Sequence, residues 1–426
     1  MNIVGIITEY NPFHRGHEYQ ISRLKELCHA DYVIIAMSGN FVQRGAPALM
    51  DKYSRARMAL SCGADLVLEL PALFATASAE YFARGGVSLL NNTKIVTHLG
   101  FGVEMNNLSL LSSISALLLE EPDPYREYLQ KELKMGASFP SARSLALQNY
   151  IISAESTNYL SSPLTASEIK EILASPNNIL ALEYLQALTA FHSTMIPLPI
   201  PRQGRGYHDT TVTQDSPDVA VTQDFCSASA IRSCIKNNTL PVPEAAMPEA
   251  SYSILNNYPH PFLFEDDFSP LLHYELITDA EDCLAAWGDS SPELARRLIA
   301  QREHFTDWSS FCLHMKTKNF TYARLSRLFT HMLLHIQQED YRKLTAPSYL
   351  RILGFRKSAA PLLSNLKSNS SLPIITSPAD AKRLLSPRAK RLLALDLRAT
   401  ELYRLGLAAK GDCTLKNDYR QQIIRL

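Results

Sequence analysis

The sequence lacks paired cysteines, long apolar runs and internal repeats. Its seven cysteines are scattered without a CxxC pair, so a cysteine-based metal cluster is not expected. Their odd number, together with the lack of a visible secretory signal, favours a reduced, cytoplasmic setting. No stretch approaches the roughly 18–20 apolar residues of a membrane span, so we expect no membrane partner.

The chain carries 42 basic and 42 acidic residues, yet the two signs are unevenly distributed. Residues 341–426 contain 17 Lys and Arg against 5 Asp and Glu, a local net charge of +12. Such a split indicates a polyanionic partner for the basic part, although a solvated helical surface is the usual explanation of a charge run. Apolar residues make up 46% of the chain, which is typical of a globular protein with a sizeable core. Its 426 residues are too many for one ordinary domain and suit two.

Short apolar segments rich in β-branched residues alternate with segments of helical spacing near the start of the chain. The predicted strands are Ile3–Thr8, Asp31–Met37, Asp65–Leu70 and Lys94–Leu99, and the predicted helices are Glu18–His29, Lys52–Cys62 and Ala77–Leu90. This alternation predicts an α/β fold with a parallel sheet covered on both faces. Ligands of such sheets bind outside the carboxyl ends of the strands, so the turns there are the expected site.

The remainder of the chain reads as mostly helical. Met195–Pro199 is predicted to form a last short strand, and Leu240–Pro248 is a proline-rich stretch typical of a domain boundary. We therefore predict an α/β domain over residues 1–238 and a mostly helical, basic domain over residues 239–426.

The turn after the first predicted strand contains two histidines three residues apart. In His14-Arg15-Gly16-His17 both imidazoles lie on one side of a helix start, where free N–H groups and a partial positive charge favour phosphate. Gly16 lets a nucleotide approach the backbone closely. His14 and His17 are therefore the predicted catalytic pair, which stabilises the charge of a leaving pyrophosphate. The alternative is two surface histidines near a turn.

An HxGH element that follows a strand and opens a helix resembles the signature of the nucleotidyltransferase superfamily. Cys226–Arg232 (CSASAIR) is similar to the second motif of that superfamily, a Ser/Thr-rich turn that leads to an arginine. The resemblance implies a Rossmann-like nucleotidyltransferase domain in which Ser229 and Arg232 hold phosphate oxygens. Many members have Thr where this chain has Ser or Ala. A serine N-cap followed by a solvated arginine is the alternative for this segment.

Several longer motifs occur along the chain. They are EYNPFHRGH (9–17), MSGNFVQRG (37–45), GADLVLELP (63–71), FGVE (101–104), SPNNILALEYL (175–185) and RQGRGYHD (202–209), with weaker matches at YARLSR (322–327) and YLRILGF (349–355). Together they are similar to the bacterial tRNA(Met) cytidine acetate ligase family. A member is expected to activate acetate with ATP as acetyl-adenylate and then to acetylate N4 of the wobble cytidine of elongator tRNA(Met). Mg²⁺ is expected on the phosphates, although no carboxylate cluster identifies its ligands.

The resemblance also implies an ATP site, position by position. Its residues would be Ile7, Thr8, Glu9, Tyr10, Asn11, Pro12, Phe13, His14, Arg15, Gly16, His17, Glu18, Tyr19, Gln20, Gly102, Asn177 and Arg202, with Ser229 and Arg232 from the second motif. Gly102 permits close backbone approach beside adenine or ribose. Asn177 can read an adenine edge or a ribose hydroxyl, and Arg202 can clamp phosphate or carboxylate. Taken singly, these three fit equally well a loop glycine, a helix N-cap and a surface arginine.

Further polar residues follow the second predicted strand. Gln43-Arg44-Gly45 is placed to approach the acyl group or the base, and Asp51 and Lys52 lie near it in the sequence. We interpret Lys52 as a solvated helix residue. In the glycine-rich loop, His208 beside Asp209 is either a base or a structural turn residue.

The region beyond residue 239 combines cations with aromatic residues. The candidate RNA-binding residues are Lys316, Lys318, Arg324, Arg327, Arg351, Arg356 and Lys357. The aromatic residues interleaved with them are Tyr322, Tyr341, Tyr349 and Phe355. Cations follow phosphates and aromatic rings stack on unpaired bases, so we predict that this domain binds tRNA.

Two other functions are consistent with parts of the sequence. An adenylyl- or cytidylyltransferase that makes a small-molecule cofactor would share the HxGH site, but such enzymes are often much shorter, and the basic second region argues against it. A non-catalytic RNA-binding protein with a degenerate nucleotide fold would not need an intact HxGH motif and Arg232. An ATP-dependent tRNA acetate ligase is therefore the preferred hypothesis.

Overall fold

The computed structural model describes residues 1–137, 139–152, 166–202, 226–237 and 244–426. The strands are β1 (Ile3–Thr8), β2 (Tyr32–Ser38), β3 (Phe41–Val42), β4 (Ala46–Pro47), β5 (Leu66–Leu70), β6 (His98–Val103), β7 (Ile196–Pro201), β8 (Leu350–Phe355), β9 (Ile374–Ile375) and β10 (Ile424–Arg425). The α-helices are α1 (Arg15–Cys28), α2 (Lys52–Ser61), α3 (Ala72–Ala75), α4 (Ala79–Asn91), α5 (Leu108–Glu120), α6 (Asp123–Lys134), α7 (Phe139–Ile152), α8 (Ala166–Ala174), α9 (Pro176–Ala190), α10 (Ala228–Lys236), α11 (Glu249–Asn256), α12 (Ser269–Thr278), α13 (Glu281–Ala286), α14 (Pro292–Gln301), α15 (Trp308–Met315), α16 (Tyr322–Leu334), α17 (Gln338–Lys343), α18 (Ala360–Asn369), α19 (Ala381–Leu384) and α20 (Pro387–Ala409).

A central sheet, eight-stranded in the described residues, organises the molecule. Its strands lie in the order β10-β8-β5-β2-β1-β6-β7, and β9 pairs with β8. β1, β2, β5, β6 and β7 run parallel, which confirms the parallel sheet predicted from the continuous apolar strands. The chain reverses direction across the sheet at β1, because β2 lies on one side of it and β6 on the other. This topology favours a ligand crevice at the carboxyl ends of β1 and β6.

Helices cover both faces of the sheet, because side chains along each strand alternate between them. On one face, Ile3 and Ile7 of β1 belong to a hydrophobic core that includes residues of α4 and α9. On the other face, Val4 and Ile6 pack with residues of α1 and α2. All four side chains are at most 9% exposed. Burial of each contributes about 1.5–3 kcal/mol, so β1 is firmly anchored beneath the turn that carries the two histidines.

Of the two strands predicted nearest to this crevice, one is shifted along the sequence and the other is confirmed. The strand predicted at Lys94–Leu99 lies four residues later, at His98–Val103. The reason is that Lys94 has φ +60°, so the chain turns there. Ile95 and Val96, the first apolar residues of the predicted strand, therefore pack into the hydrophobic core from a loop. The strand predicted at Met195–Pro199 is confirmed as β7 and pairs in parallel with β6. Both strands point their carboxyl ends at the same edge of the sheet.

The region after residue 239 is mostly helical, as predicted, but it also completes the sheet. β8 inserts antiparallel against β5, and β9 and β10 pair in parallel with β8. These strands were missed because the apolar run of β8 is short and its partner is almost 300 residues away in the sequence. The predicted boundary between residues 238 and 239 falls outside the described residues, and the division into two domains stays a prediction.

A buried cluster of four charges joins the two regions. Lys52 Nζ lies 2.7 Å from Glu69 Oε1 and 3.0 Å from Asp418 Oδ2. Arg351 NH1 lies 3.0 Å from Glu69 Oε2 and 3.1 Å from Asp418 Oδ2. Two predictions are therefore wrong: Lys52 is not solvated, and Arg351 does not face an RNA surface, since each side chain is 1% exposed. Charged side chains are found in a protein interior only when they are paired, because burying an unpaired charge costs too much free energy.

The longest helix, α20, is amphipathic rather than uniformly apolar. Its 23 residues bury Leu392, Leu395 and Leu407, whereas Arg388, Arg398 and other polar residues are exposed. Within the described ranges, no helix combines the length and the apolar character needed to cross a bilayer.

Candidate active site

A cavity of about 290 Å³ opens at the carboxyl ends of β1, β6 and β7. The predicted ATP-site residues that line it are Ile7, Thr8, Glu9, Tyr10, Asn11, His14, Gly16, His17, Tyr19, Gln20, Gly102, Asn177, Arg202, Ser229 and Arg232. The helices α1, α9 and α10 begin at or near its wall. The structure thus gathers segments that lie more than 200 residues apart in the sequence, at the position that the sheet topology favours.

The two histidines form a capping box at the start of α1. Gly16 N–H donates to His14 Nδ1 over 3.1 Å, and His14 N–H donates to His17 Nδ1 over 3.2 Å. Because both Nδ1 atoms accept, the proton of each neutral ring is on Nε2. The ring centroids are 3.8 Å apart. Two N–H donors therefore lie side by side at a helix N-terminus, an arrangement that suits phosphate oxygens.

Both imidazoles are held neutral. Removal from water, assisted by the charges of Arg202 and Arg232, lowers the pKa of His14 to about 3. The same burial, with His14 and Arg202, lowers the pKa of His17 well below its ordinary range. A neutral imidazole with its hydrogen on Nε2 donates a hydrogen bond without acting as a base at that atom. The pair is thus suited to polarising phosphate, not to taking up a proton.

Four residues of the predicted ATP segment do not line the cavity: Pro12, Phe13, Arg15 and Glu18. Phe13 is fully buried, and its ring packs against His17 with centroids 5.5 Å apart. Pro12 follows a cis peptide bond, and Arg15 Nε donates to Ala245 O over 2.6 Å. Phe13 and Arg15 therefore support the turn through packing and a hydrogen bond, and do not line the cavity.

The second motif faces the histidines from α10. Ser227 is the N-cap, since its Oγ accepts from Ala230 N–H over 3.1 Å. Arg232 is not a solvated residue: NH1 donates to Asn11 O over 2.7 Å, and NH2 donates to Ser229 Oγ over 3.1 Å. Ser229 therefore helps to aim the guanidinium. A second helix N-terminus and a fixed cation point at the same space as α1.

Gly102 and Asn177 lie across the cavity from α10. A Cβ at Gly102 would meet no atom within 4 Å, so the backbone there is open to a ligand. Asn177 is not the N-cap of α9, which is Ser175. Its Nδ2 donates to Glu104 Oε1 over 2.7 Å, and Glu104 Oε2 accepts from Asn178 N–H over 3.0 Å. This carboxylate ties the end of β6 to the start of α9 and holds Asn177 in place.

The full length of the chain matches known proteins. The family described as HIGH Nucleotidyl Transferase matches residues 1–418. The tRNA(Met) cytidine acetate ligase of Clostridium perfringens is 38% identical over 405 residues, 95% of each chain. That of Thermoanaerobacter sp. is 37% identical over 434 residues, with both chains fully covered.

The chain belongs to the tRNA(Met) cytidine acetate ligase family. Solved structures agree with this assignment. The apo crystal structure of Thermotoga maritima TmcAL (form I) has a TM-score of 0.91 and 31% identity over the whole of both chains. The same protein bound with alpha-thio ATP (form II) has a TM-score of 0.88 at the same identity and coverage. The predicted α/β nucleotidyltransferase fold and the predicted family are both confirmed.

Several residues outside the predicted ATP-site set also line the cavity. They are Gln43, Arg44, Phe82, Phe101, Leu180, Tyr184, Ile200, Pro201, Cys226, Ser227 and Ala228. Most of them flank a predicted residue in a strand or at a helix start, which is a signal that sequence alone offers. Phe82 has no such signal, because α4 reaches the cavity only through packing on the sheet. Gln43 and Arg44 had been considered as residues near the acyl group or the base, and the structure places them at the cavity.

The candidate RNA-binding residues lie outside the cavity. Lys316, Lys318 and Lys357 are exposed, and Arg356 is partly exposed. Arg327 donates through Nε and NH2 to both carboxylate oxygens of Asp289, over 2.8 and 3.0 Å, and Arg324 Nε donates to the backbone oxygen of Asp289. These two arginines thus stabilise the fold around Asp289 as well as carrying charge. His208 and Asp209 lie outside the described residues.

Proposed function

We propose that this protein joins acetate to the wobble cytidine of elongator tRNA(Met) at the expense of ATP, giving N4-acetylcytidine, AMP and pyrophosphate. The observation that carries the proposal is the cavity in which two neutral histidines, two helix N-termini and Arg232 meet, in a chain 38% identical along its length to a tRNA(Met) cytidine acetate ligase. That a relative binds an ATP analogue supports ATP as the nucleotide.

In the proposed first step, an acetate oxygen bonds to the α-phosphorus while the bond to the bridging oxygen breaks and pyrophosphate leaves. The amide groups at the start of α10 and the Nε2–H groups of His14 and His17 bind the phosphates, beside the positive end of the α1 dipole. Arg232, fixed on Asn11 O, faces the negative charge that builds up on the leaving group. These groups are positioned before reaction, which is the basis of electrostatic stabilisation.

We infer that Mg²⁺ accompanies ATP and neutralises phosphate charge when bound. In the portion of the chain that the structure describes, no group of three or more His, Cys, Asp and Glu side chains could hold a metal ion. The proposal is therefore that phosphate oxygens and water supply its ligands, as Mg²⁺ commonly retains water and binds nucleotide phosphates. Adenine or ribose is placed beside the open backbone of Gly102 and the fixed amide of Asn177.

The tRNA is proposed to bind the basic surface of the region beyond residue 239. Its exposed cations include Lys316, Lys318, Lys357, Lys382, Arg383, Arg388, Lys390 and Arg398. Their charge supplies the salt-dependent, sequence-independent part of RNA affinity. Arg351 is removed from this set because it is buried. A cytoplasmic location follows from the proposed substrate and is supported by seven unpaired cysteines, which are typical of a reducing compartment.

The test is incorporation of labelled acetate into bulk tRNA by purified protein with ATP and without acetyl-CoA. His17→Ala is expected to lower the rate about 10²–10³-fold, because it removes one phosphate donor. His304→Ala is the matched control, since His304 is exposed and outside the cavity. No label in tRNA with the wild type would contradict the proposal. ATP turnover with a small phosphorylated substrate instead would favour a cofactor-forming nucleotidyltransferase.

A further inference from the structure

Glu9 occupies an unusual place in the cavity. It follows the last residue of β1, and it is the single Asp or Glu among the described residues that line the cavity. The other walls carry arginines, neutral histidines and helix N-termini, all suited to anions. A carboxylate opposes the binding of phosphate and acetate by charge repulsion. Its presence in a site otherwise suited to anions therefore calls for a chemical role.

The carboxylate of Glu9 is held in a fixed position. Its Oε1 accepts from Gln43 N–H over 2.8 Å, and among the described residues Gln43 is the one hydrogen-bond donor to this side chain. The backbone oxygen of Glu9 accepts from NH1 of Arg55, a fully buried side chain that also donates to Ser38 O. Backbone and side chain are thus both anchored, and within the described ranges no hydrogen bond is donated to Oε2, which we assign to the substrate.

Glu9 interacts electrostatically with Arg232, Arg44, Tyr184 and Arg55. Burial lowers the pKa of Arg232, and the Glu9 carboxylate opposes this effect. Burial likewise lowers the pKa of Arg44, with Glu9 again acting in the opposite sense. Burial raises the pKa of Tyr184, and the charge of Glu9 adds to it. Glu9 therefore lies close enough to both arginines and to Tyr184 to interact with them electrostatically.

Among the described residues that line the cavity, the two histidines and the buried tyrosines are poor proton acceptors. His14 and His17 use Nδ1 to accept from backbone N–H groups, and their Nε2 atoms carry hydrogen. Burial raises the pKa of the Tyr10 and Tyr184 hydroxyls, so both remain protonated. A cytosine amine loses a proton when it is acylated, and a positioned base accelerates such a step about 10²–10⁴-fold.

We propose that Glu9 takes the N4 proton in the acyl-transfer step, an assignment that rests on the proposed function. The N4–carbon bond to the acetyl group forms, and the bond from the acetyl carbon to the phosphate oxygen breaks. AMP leaves with that electron pair, and the N4 proton passes to Glu9 Oε2 and then to solvent. Glu9 has no bond to make or break in the first step, so the two half-reactions depend on it differently.

The experiment measures both half-reactions of Glu9→Gln. Glutamine keeps an oxygen that accepts from Gln43 N–H but cannot take a proton. Acetate-dependent exchange of pyrophosphate into ATP, without tRNA, reports the first step, and single-turnover acetyl transfer to tRNA reports the second. Transfer is expected to slow at least about 10²-fold more than exchange.

Glu9→Asp keeps a carboxylate with a shorter reach, so it is expected to transfer acetyl more slowly than the wild type but faster than Glu9→Gln. Glu26→Gln, an exposed change on α1, is expected to match the wild type, and melting temperatures check folding. Equal losses in both half-reactions, or unchanged transfer in Glu9→Gln, would overturn the assignment. A wild type that shows neither exchange nor label in tRNA would overturn the proposed function itself, and this assignment with it.

Discussion

Acidification is expected to destabilise the fold through His14. Burial, aided by Arg202 and Arg232, lowers the pKa of this imidazole from 6.5 to about 3. Between these values the unfolded chain binds a proton and the folded chain does not. Stability therefore falls as the pH falls below the unfolded value, by about 1.4 kcal/mol per pH unit. From pH 6.5 to about pH 5 this amounts to roughly 2 kcal/mol.

The perturbation that isolates this effect is His14→Asn. Asparagine is a strong N-cap whose side-chain oxygen can accept from Gly16 N–H, so α1 keeps its cap. Urea unfolding of both proteins between about pH 7 and pH 5 gives the free energy of unfolding at each pH. His17 and all other titrating groups are present in both, so the difference in slope reports His14.

The wild type is expected to lose about 2 kcal/mol more than His14→Asn over this range. His304→Asn, which changes an exposed histidine, is expected to follow the wild-type slope. If the curves of the wild type and His14→Asn remain parallel, then His14 is not held neutral by burial, and the account of the paired imidazoles as uncharged donors fails.

Three further changes test the structure. Arg351→Met leaves two buried carboxylates with Lys52 as their remaining cation, so it is expected to lower the free energy of unfolding by about 3–5 kcal/mol. The control Lys357→Met changes an exposed residue and is expected to lower it by less than about 0.5 kcal/mol. Gly102→Ala has open space around the new methyl, so its melting temperature is expected to stay unchanged while KM for ATP rises. Gly45 has φ +73°, and a Cβ there would collide with the backbone of α16. Gly45→Ala is therefore expected to lower the free energy of unfolding in urea by about 3 kcal/mol or more. Gly136 also has a positive φ, but a Cβ there would meet no atom within 4 Å, so Gly136→Ala is expected to cost about 1 kcal/mol. Equal effects within either matched pair, or a lower melting temperature for Gly102→Ala, would contradict the packing described.

Local patterns were enough to predict the turn that carries the two histidines. β1 is a continuous run of apolar residues, and two histidines follow at the start of an amphipathic helix, so strand, turn and helix each have a signal within a few residues. The second motif was recognisable for the same reason, since a serine cap and Arg232 lie within one helical turn and a half. Segments of this kind carry their own conformational preference, which is why their placement in the fold could be expected.

By itself, then, the sequence determined the α/β class, the parallel strands, the family and the paired histidines, because these depend on short-range periodicity and on motifs. Only the tertiary structure decided that Arg232 reaches Asn11, 221 residues away, and that Arg351 joins a buried ion cluster. It also decided that β8 closes the sheet against β5. Long-range pairing depends on which surfaces remain to be covered once the local elements form, and that competition for burial has no signature within a single segment.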